Sequence, residues 1–223
     1  IGSVVPVIGT AIGGILGGIY GAIKSGSYAS LNIKPAGQTM LDGMGTATKA
    51  YEDTASSIVS ALSGAGVPGP AISKLLGNIG GSLEKKLGGF KNMDVIDLLG
   101  GGLPGRKTIK PAPALQIAAA LQDARKGLVA GSARLVEYMF SGASLAAPGE
   151  ASRRASLGNV GATAYAQIAS AGGMSFDDLS YQSGSGYGEG QIASDFDLYG
   201  KGKTQAAGGT AISPSTTGGS GGG

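Results

Sequence analysis

Apolar positions change period and density from one stretch of this sequence to the next. Residues Ile1 to Ile23 carry no charge, and the first charge is Lys24. That is an uncharged run of the length a membrane-spanning helix needs. Inside it Gly9, Gly13, Gly17 and Gly21 recur every four residues, Ser25 continues the series, and Gly14 and Gly18 form an adjacent row. Ile12, Leu16, Ile19 and Ile23 line another face. The pattern is a glycine zipper: a flat strip on one slowly rotating helix face, along which a second backbone can approach closely. In water each glycine costs about 0.8 to 1.0 kcal/mol relative to alanine within a helix. Six of them between Val4 and Ile23 therefore require lipid, a partner helix or a protein sheath. The alternative is a Gly-rich apolar hairpin buried in a larger assembly.

From Gly26 to Gly45 the pattern predicts a short extended piece around Leu31 and Ile33, then a glycine-punctuated loop. From Thr46 the period becomes helical. Tyr51, Ala55, Ile58, Val59 and Leu62 share a face, Glu52 and Asp53 stand early, and Gly64 marks the stop. A turn at Gly66–Pro70 leads to a second stripe through Ile72, Leu75, Leu76, Ile79, Leu83 and Leu87, and the two stripes are expected to pair as a helical hairpin. Asp94 to Leu99 is a helical turn or a strand, closed by Gly100, Gly101 and Gly102. Ala-rich helical text follows from Ala114 to Gly127, then a stripe of Leu135, Val136, Met139 and Phe140, then a helical window from Ala151 to Ala171. After Gly172 and Gly173 the helical period stops, which predicts a flexible tail.

The expected architecture is mostly α: loose Ala/Gly-rich helical hairpins between an apolar zipper and a disordered tail. Its segments are 1–25, 26–103, 104–172 and 173–223. Composition explains the word loose. Glycine and proline fill 44 and 9 of the 223 positions, and only 5% of residues are aromatic, so a thick core is not expected. A chain that opens on Ile1 is expected to be a processed product or, more readily, a piece of a longer protein.

Candidate chemistry is sparse. His, Cys and Trp are absent, which removes zinc sites built on Cys or His, cysteine nucleophiles, disulfides and any triad with a histidine base. Neither a P-loop nor a dinucleotide fingerprint occurs, and no cofactor is expected. Asp195 to Gly200 imitates the start of a calcium loop, but Tyr199 and Ala206 stand where ligands are needed. The net charge is a mild +3, with one basic concentration. Arg106, Lys107, Lys110, Arg125, Lys126 and Arg134 face a single acid, Asp123. Arg106, Lys107, Lys110, Arg125 and Lys126 are candidates for contact with phosphates of nucleic acid or lipid headgroups; the alternative is a solvated linker and a charged helix face. Arg153-Arg154-Ala155-Ser156-Leu157 resembles the consensus of cyclic-AMP-dependent kinases, with two solvated arginines as the plainer reading.

The run Ile8-Gly9-Thr10-Ala11-Ile12-Gly13-Gly14-Ile15-Leu16-Gly17-Gly18, followed by Ala/Gly-rich helical text and a tail, resembles the carboxy-terminal regions of tailed-bacteriophage tape measure proteins. It is also similar to the DNA-ejection proteins inside short-tailed phages. The resemblance implies a non-enzymatic virion component, held in the tail lumen or capsid interior, that helps DNA cross the host envelope. Its implied partners are other virion proteins, further copies of itself, the host membrane and the DNA backbone. No catalytic residue is carried over. A long heptad stretch, which a complete tape measure needs, is absent from this sequence. The competing expectation is a bacterial envelope protein anchored by its glycine-zipper helix.

Overall fold

A computed structural model describes residues 33–91, 93–101, 108–142 and 149–182. The zipper segment 1–25 and residues beyond 182 lie outside the described residues. Every regular element among the described residues is helical.

Helix α1 spans Pro35–Gly64. Lys34 is extended, and Pro35 supplies a preset φ at a position whose N–H has no helical partner. The helix starts well before Thr46, so the loop expected across Gly37 to Gly45 is helical instead. Burial explains the difference. Leu41 and Met44 are buried and continue the stripe of Tyr51, Ala55, Ile58 and Leu62 back by nearly three turns, and that contact outweighs the glycine penalty. Gly37 lies in close quarters, since a Cβ there would stand 2.8 Å from Ile33 Cγ2 and 3.0 Å from Leu99 Cδ1. The helix ends in a Schellman turn: Gly66 has φ of 81°, Val67 N–H donates to Leu62 O at 3.0 Å and Gly66 N–H to Ser63 O at 3.0 Å.

Helix α2, Gly69–Leu87, buries the predicted stripe from Ile72 to Leu87. The hairpin with α1 does not form along its length. Both helices pack instead on a later one, α4, Pro113–Ser141, and touch each other little. Helix α3, Val95–Leu98, settles the helix-or-strand alternative, with the Asp94 carboxylate accepting from Asp97 N–H at 2.8 Å as its cap. Its trailing Gly100, at φ of 90°, meets the returning chain: Ile109 N–H donates to Gly100 O at 3.0 Å.

Two stripes of the sequence fuse in α4, which runs unbroken through Gly127 and Gly131. Its contacts with α1 are the most extensive in the fold, followed by those with α5, Glu150–Gly172, and it also carries α2. Side-chain bulk decides how near these neighbours come. A Cβ on Gly161 of α5 would lie 2.7 Å from Phe140 Cγ, and one on Gly172 would lie 2.9 Å from Val129 Cγ1. Helix α5 is broken at Gly158, whose φ of 65° and ψ of 176° belong to a region essentially reserved for glycine.

After a second Schellman turn at Gly173, φ 72°, helix α6 covers Phe176–Gln182. The helical part of the chain therefore extends past the boundary expected at residue 173. Ser175 and Asp178 form the reason: Asp178 N–H donates to Ser175 Oγ at 3.1 Å and Ser175 Oγ–H to Asp178 Oδ2 at 2.6 Å, a reciprocal cap. Phe176 and Leu179 then bury themselves against the core.

Glycine's two roles separate by substitution. Gly161→Ala gains helix propensity but must displace the base of Phe140, so a net loss of about 1–3 kcal/mol is expected by denaturant titration. Gly77→Ala, exposed in mid-α2 with nothing within 4 Å of the new Cβ, is expected to add about 0.5–1 kcal/mol. Equal effects at the two sites would contradict this packing.

Candidate functional site

The break at Gly158 lets the first arm of α5 turn back beside α6, and a polar seam forms where α4, α5 and α6 meet. Glu137 of α4 is 1% exposed and Tyr165 of α5 is 0% exposed. The Tyr165 O–H donates to Glu137 Oε1 at 3.0 Å. Burial, and then the neighbouring Glu137 carboxylate, push the Tyr165 phenol well above the ordinary tyrosine range. It therefore remains a fixed proton donor. Arg134 stands one turn before Glu137 on the same side of α4 and is also buried.

Arg153, in the short arm of α5, is buried and pairs with Asp177 of α6. Phe176 packs its ring against Tyr165, centroids 4.6 Å apart and planes inclined by 47°. The guanidinium of Arg154 lies over that same ring at 4.2 Å. These contacts enclose the Tyr165 hydroxyl rather than offering it to a ligand. A shallow groove on the outer side of α5 is lined by Arg154, Gly158, Asn159, Thr163 and Gln167 among others, and neither Glu137 nor Tyr165 borders it. The seam thus fixes the register of three helices, a role for which a buried charge requires the partners it has here.

A second junction explains Arg125. Its Nε donates to Thr54 Oγ1 at 2.7 Å and its Nη2 to Ala171 O at 3.0 Å, while Thr54 Oγ1 donates to the same carbonyl at 3.1 Å. Ala171 belongs to the last turn of α5, where unsatisfied carbonyls concentrate negative potential. One guanidinium therefore ties α1, α4 and α5 together. The phosphate contact expected of Arg125 gives way to this clamp, because its donors already point inward.

The other basic candidates do not gather around it. Lys126 and Lys110 are exposed, and fifteen residues separate them, with roughly 20 Å of helical rise between Pro113 and Lys126. Arg106 and Lys107 lie outside the described residues. Asp123 pairs with Lys86 of α2 at 3.4 Å, an exposed contact worth little. The kinase-like motif fares differently from its reading as two solvated arginines: Arg153 and Leu157 are buried, and Ser156 Oγ–H donates to Ser152 O at 2.9 Å within the helix.

Zipper glycines Gly9, Gly13, Gly14, Gly17, Gly18 and Gly21 lie outside the described residues, as does the calcium-like stretch. Among the described residues no helix is long and apolar enough to cross a membrane, and no cluster of three acidic, His or Cys side chains suits a metal ion. Nothing in the spacing of the sequence marks Glu137, Tyr165, Arg153 or Asp177 as partners. The single readable signal was Ser175-Phe176-Asp177-Asp178, a capping pattern that announces α6.

Tyr165→Phe removes the donor facing a buried carboxylate, so a loss of about 1–3 kcal/mol is expected by denaturant titration. Alkaline pH adds a second signature. Tyr165 and Tyr51 are both raised by burial, so the folded state holds protons that the unfolded chain releases. Their contribution is complete below about pH 10 and is lost as pH rises above it. The Tyr165→Phe variant should show a shallower alkaline decline than the parent; parallel curves would contradict the buried pairing. Comparison with protein-family models, curated proteins and solved structures finds no match to this chain.

Proposed function

We propose that the chain is a non-enzymatic structural component of a phage virion, of the tape measure or ejection class, that assists DNA delivery across the host envelope. The observation that carries this reading is the uncharged run Ile1 to Ile23 with Gly9, Gly13, Gly17 and Gly21 at four-residue intervals. Such a strip is shielded by protein while the particle is intact. It packs helix against helix once lipid becomes its solvent. The helical bundle supports the reading in a second way: the buried Arg153 and Glu137 and the half-buried Arg125 are spent on helix junctions. In this account the bundle is the folded body that the membrane-active run pulls to the envelope. Other virion proteins and further copies of the chain are its partners, and Lys110 and Lys126 are left to meet phosphate non-specifically.

The test uses the whole chain and dye-loaded vesicles. Binding and leakage are expected, and Gly13→Ile combined with Gly17→Ile should reduce leakage about tenfold by filling the strip on which helices meet. A chain that neither binds vesicles nor releases dye would sink the proposal.

A further inference from the structure

Four large apolar side chains stand out from the surface of the described residues: Ile96 at 40% exposure, Ile109 at 39%, Leu115 at 44% and Val160 at 40%. A single exposed apolar residue such as Val160 is ordinary. The other three belong to one end of the bundle. Ile96 lies in α3, whose carbonyl accepts from Gly101 N–H at 3.1 Å; Ile109 N–H donates to Gly100 O; and Ala112, which abuts Gly100, opens the turn of α4 that bears Leu115. The start of α1 is at the same end, because Gly37 meets the Leu99 side chain that follows α3.

Two features say what covers this end. Ile33, the first described residue, packs there against the core, so the preceding sequence is covalently joined to the fold beside the exposed patch. Ten steps of chain from Ile23 to Ile33 can reach no farther than roughly 35 Å, which keeps the apolar run tethered to this end. The rim is basic in its longer side chains: Lys34, Lys91 and Lys110 are exposed. The acids present are Asp94 and Asp97, and the Asp94 carboxylate is occupied in capping α3.

We propose that the end of the bundle formed by α3 and the first turns of α1 and α4 is a lipid-docking face. Ile96, Ile109 and Leu115 enter the boundary between headgroups and acyl chains, while Lys34, Lys91 and Lys110 lie among anionic headgroups. Apolar side chains ringed by lysine suit that boundary, since the methylene stems lie along the hydrocarbon and the ammonium groups stay wet. The proposal rests on the membrane reading of the amino-terminal run, and it adds the surface by which the folded body meets the same bilayer.

The chain contains no cysteine, so one introduced residue takes a single label. Leu115→Cys and, on the outer face of α5, Gln167→Cys are each coupled to an environment-sensitive fluorophore in the full chain. Each is mixed with vesicles of phosphatidylcholine containing phosphatidylglycerol, with vesicles of phosphatidylcholine alone, and with vesicles bearing nitroxide-labelled acyl chains. The label at 115 should brighten, shift to the blue and be quenched by the nitroxide, most strongly on anionic vesicles, while the label at 167 stays aqueous. Ile109→Ser combined with Leu115→Ser, checked for an unchanged melting curve, should lower partitioning about tenfold.

A label at 115 that stays aqueous while the chain binds and causes leakage would overturn the docking face and leave the zipper reading standing. Docking at 115 without leakage would support the face and count against the zipper. Absence of all binding overturns both. A blue shift that is complete without vesicles would assign the patch to the chain's own amino-terminal run, and a concentration-dependent dimer dissolved by Leu115→Ser would assign it to a second copy.

Discussion

Helix α4 is enclosed along its second half. Helices α1, α2 and α5 all pack on it, α3 and α6 touch it as well, and every residue from Leu128 to Glu137 is buried, while the first half keeps a solvent face at Leu115, Ala119, Gln122, Asp123 and Lys126. A helix in that position can hold its neighbours only if its side chains are thin, and Ala114, Ala120, Gly127, Ala130, Gly131 and Ala133 meet that condition. The partners answer in kind, with Gly161 beneath Phe140 and Gly172 beneath Val129. Close approach replaces the bulk that a chain with 5% aromatic residues does not have.

Enclosing α4 also encloses its polar residues, and each of these has to be answered. Ser132 donates to the carbonyl of Leu128 one turn back at 2.6 Å. Glu137 receives the hydroxyl of Tyr165, and Arg125 reaches the carbonyl end of α5. The short arm of α5 and all of α6 are held by the consequence of this arrangement, since Arg153, Asp177 and Phe176 close over Tyr165. Arg125, Arg153 and Glu137 thus serve interior junctions, while Lys126 and the Lys86–Asp123 pair stay on the surface. Glycine serves helix contacts, left-handed helix ends and the break at Gly158, and at Gly77 it stands in the open.

How much of this could be read in advance depended on the range of the interaction. The stripe of α2 and the second half of α1 were legible because large apolar residues recur at helical spacing and all of them are buried. The first half of α1 was not, because Gly37, Gly43 and Gly45 read as a loop and only the distant Leu99 reveals why Gly37 is tolerated. Fusion of two Ala-rich stripes into α4 was hidden by Gly127 and Gly131, which are packing positions rather than breaks. Pairing failed as a prediction for a similar reason: a short turn between α1 and α2 suggested a hairpin, but a later helix competes for both faces. Of the candidate site residues, Arg125 was visible as a charge and illegible as a clamp, because its partners, Thr54 and Ala171, are 71 and 46 residues away.

The claim that α4 is the spine of the fold is tested most directly by native-state hydrogen exchange on the whole chain. Amides from Leu128 to Val136 should exchange only through global unfolding, with the same free energy as denaturant titration gives, while α3 and the arm of α5 before Gly158 exchange through smaller local openings. Exchange of those α4 amides ahead of the amides of α1 and α2 would show that the outer helices hold together without it, and would contradict the account.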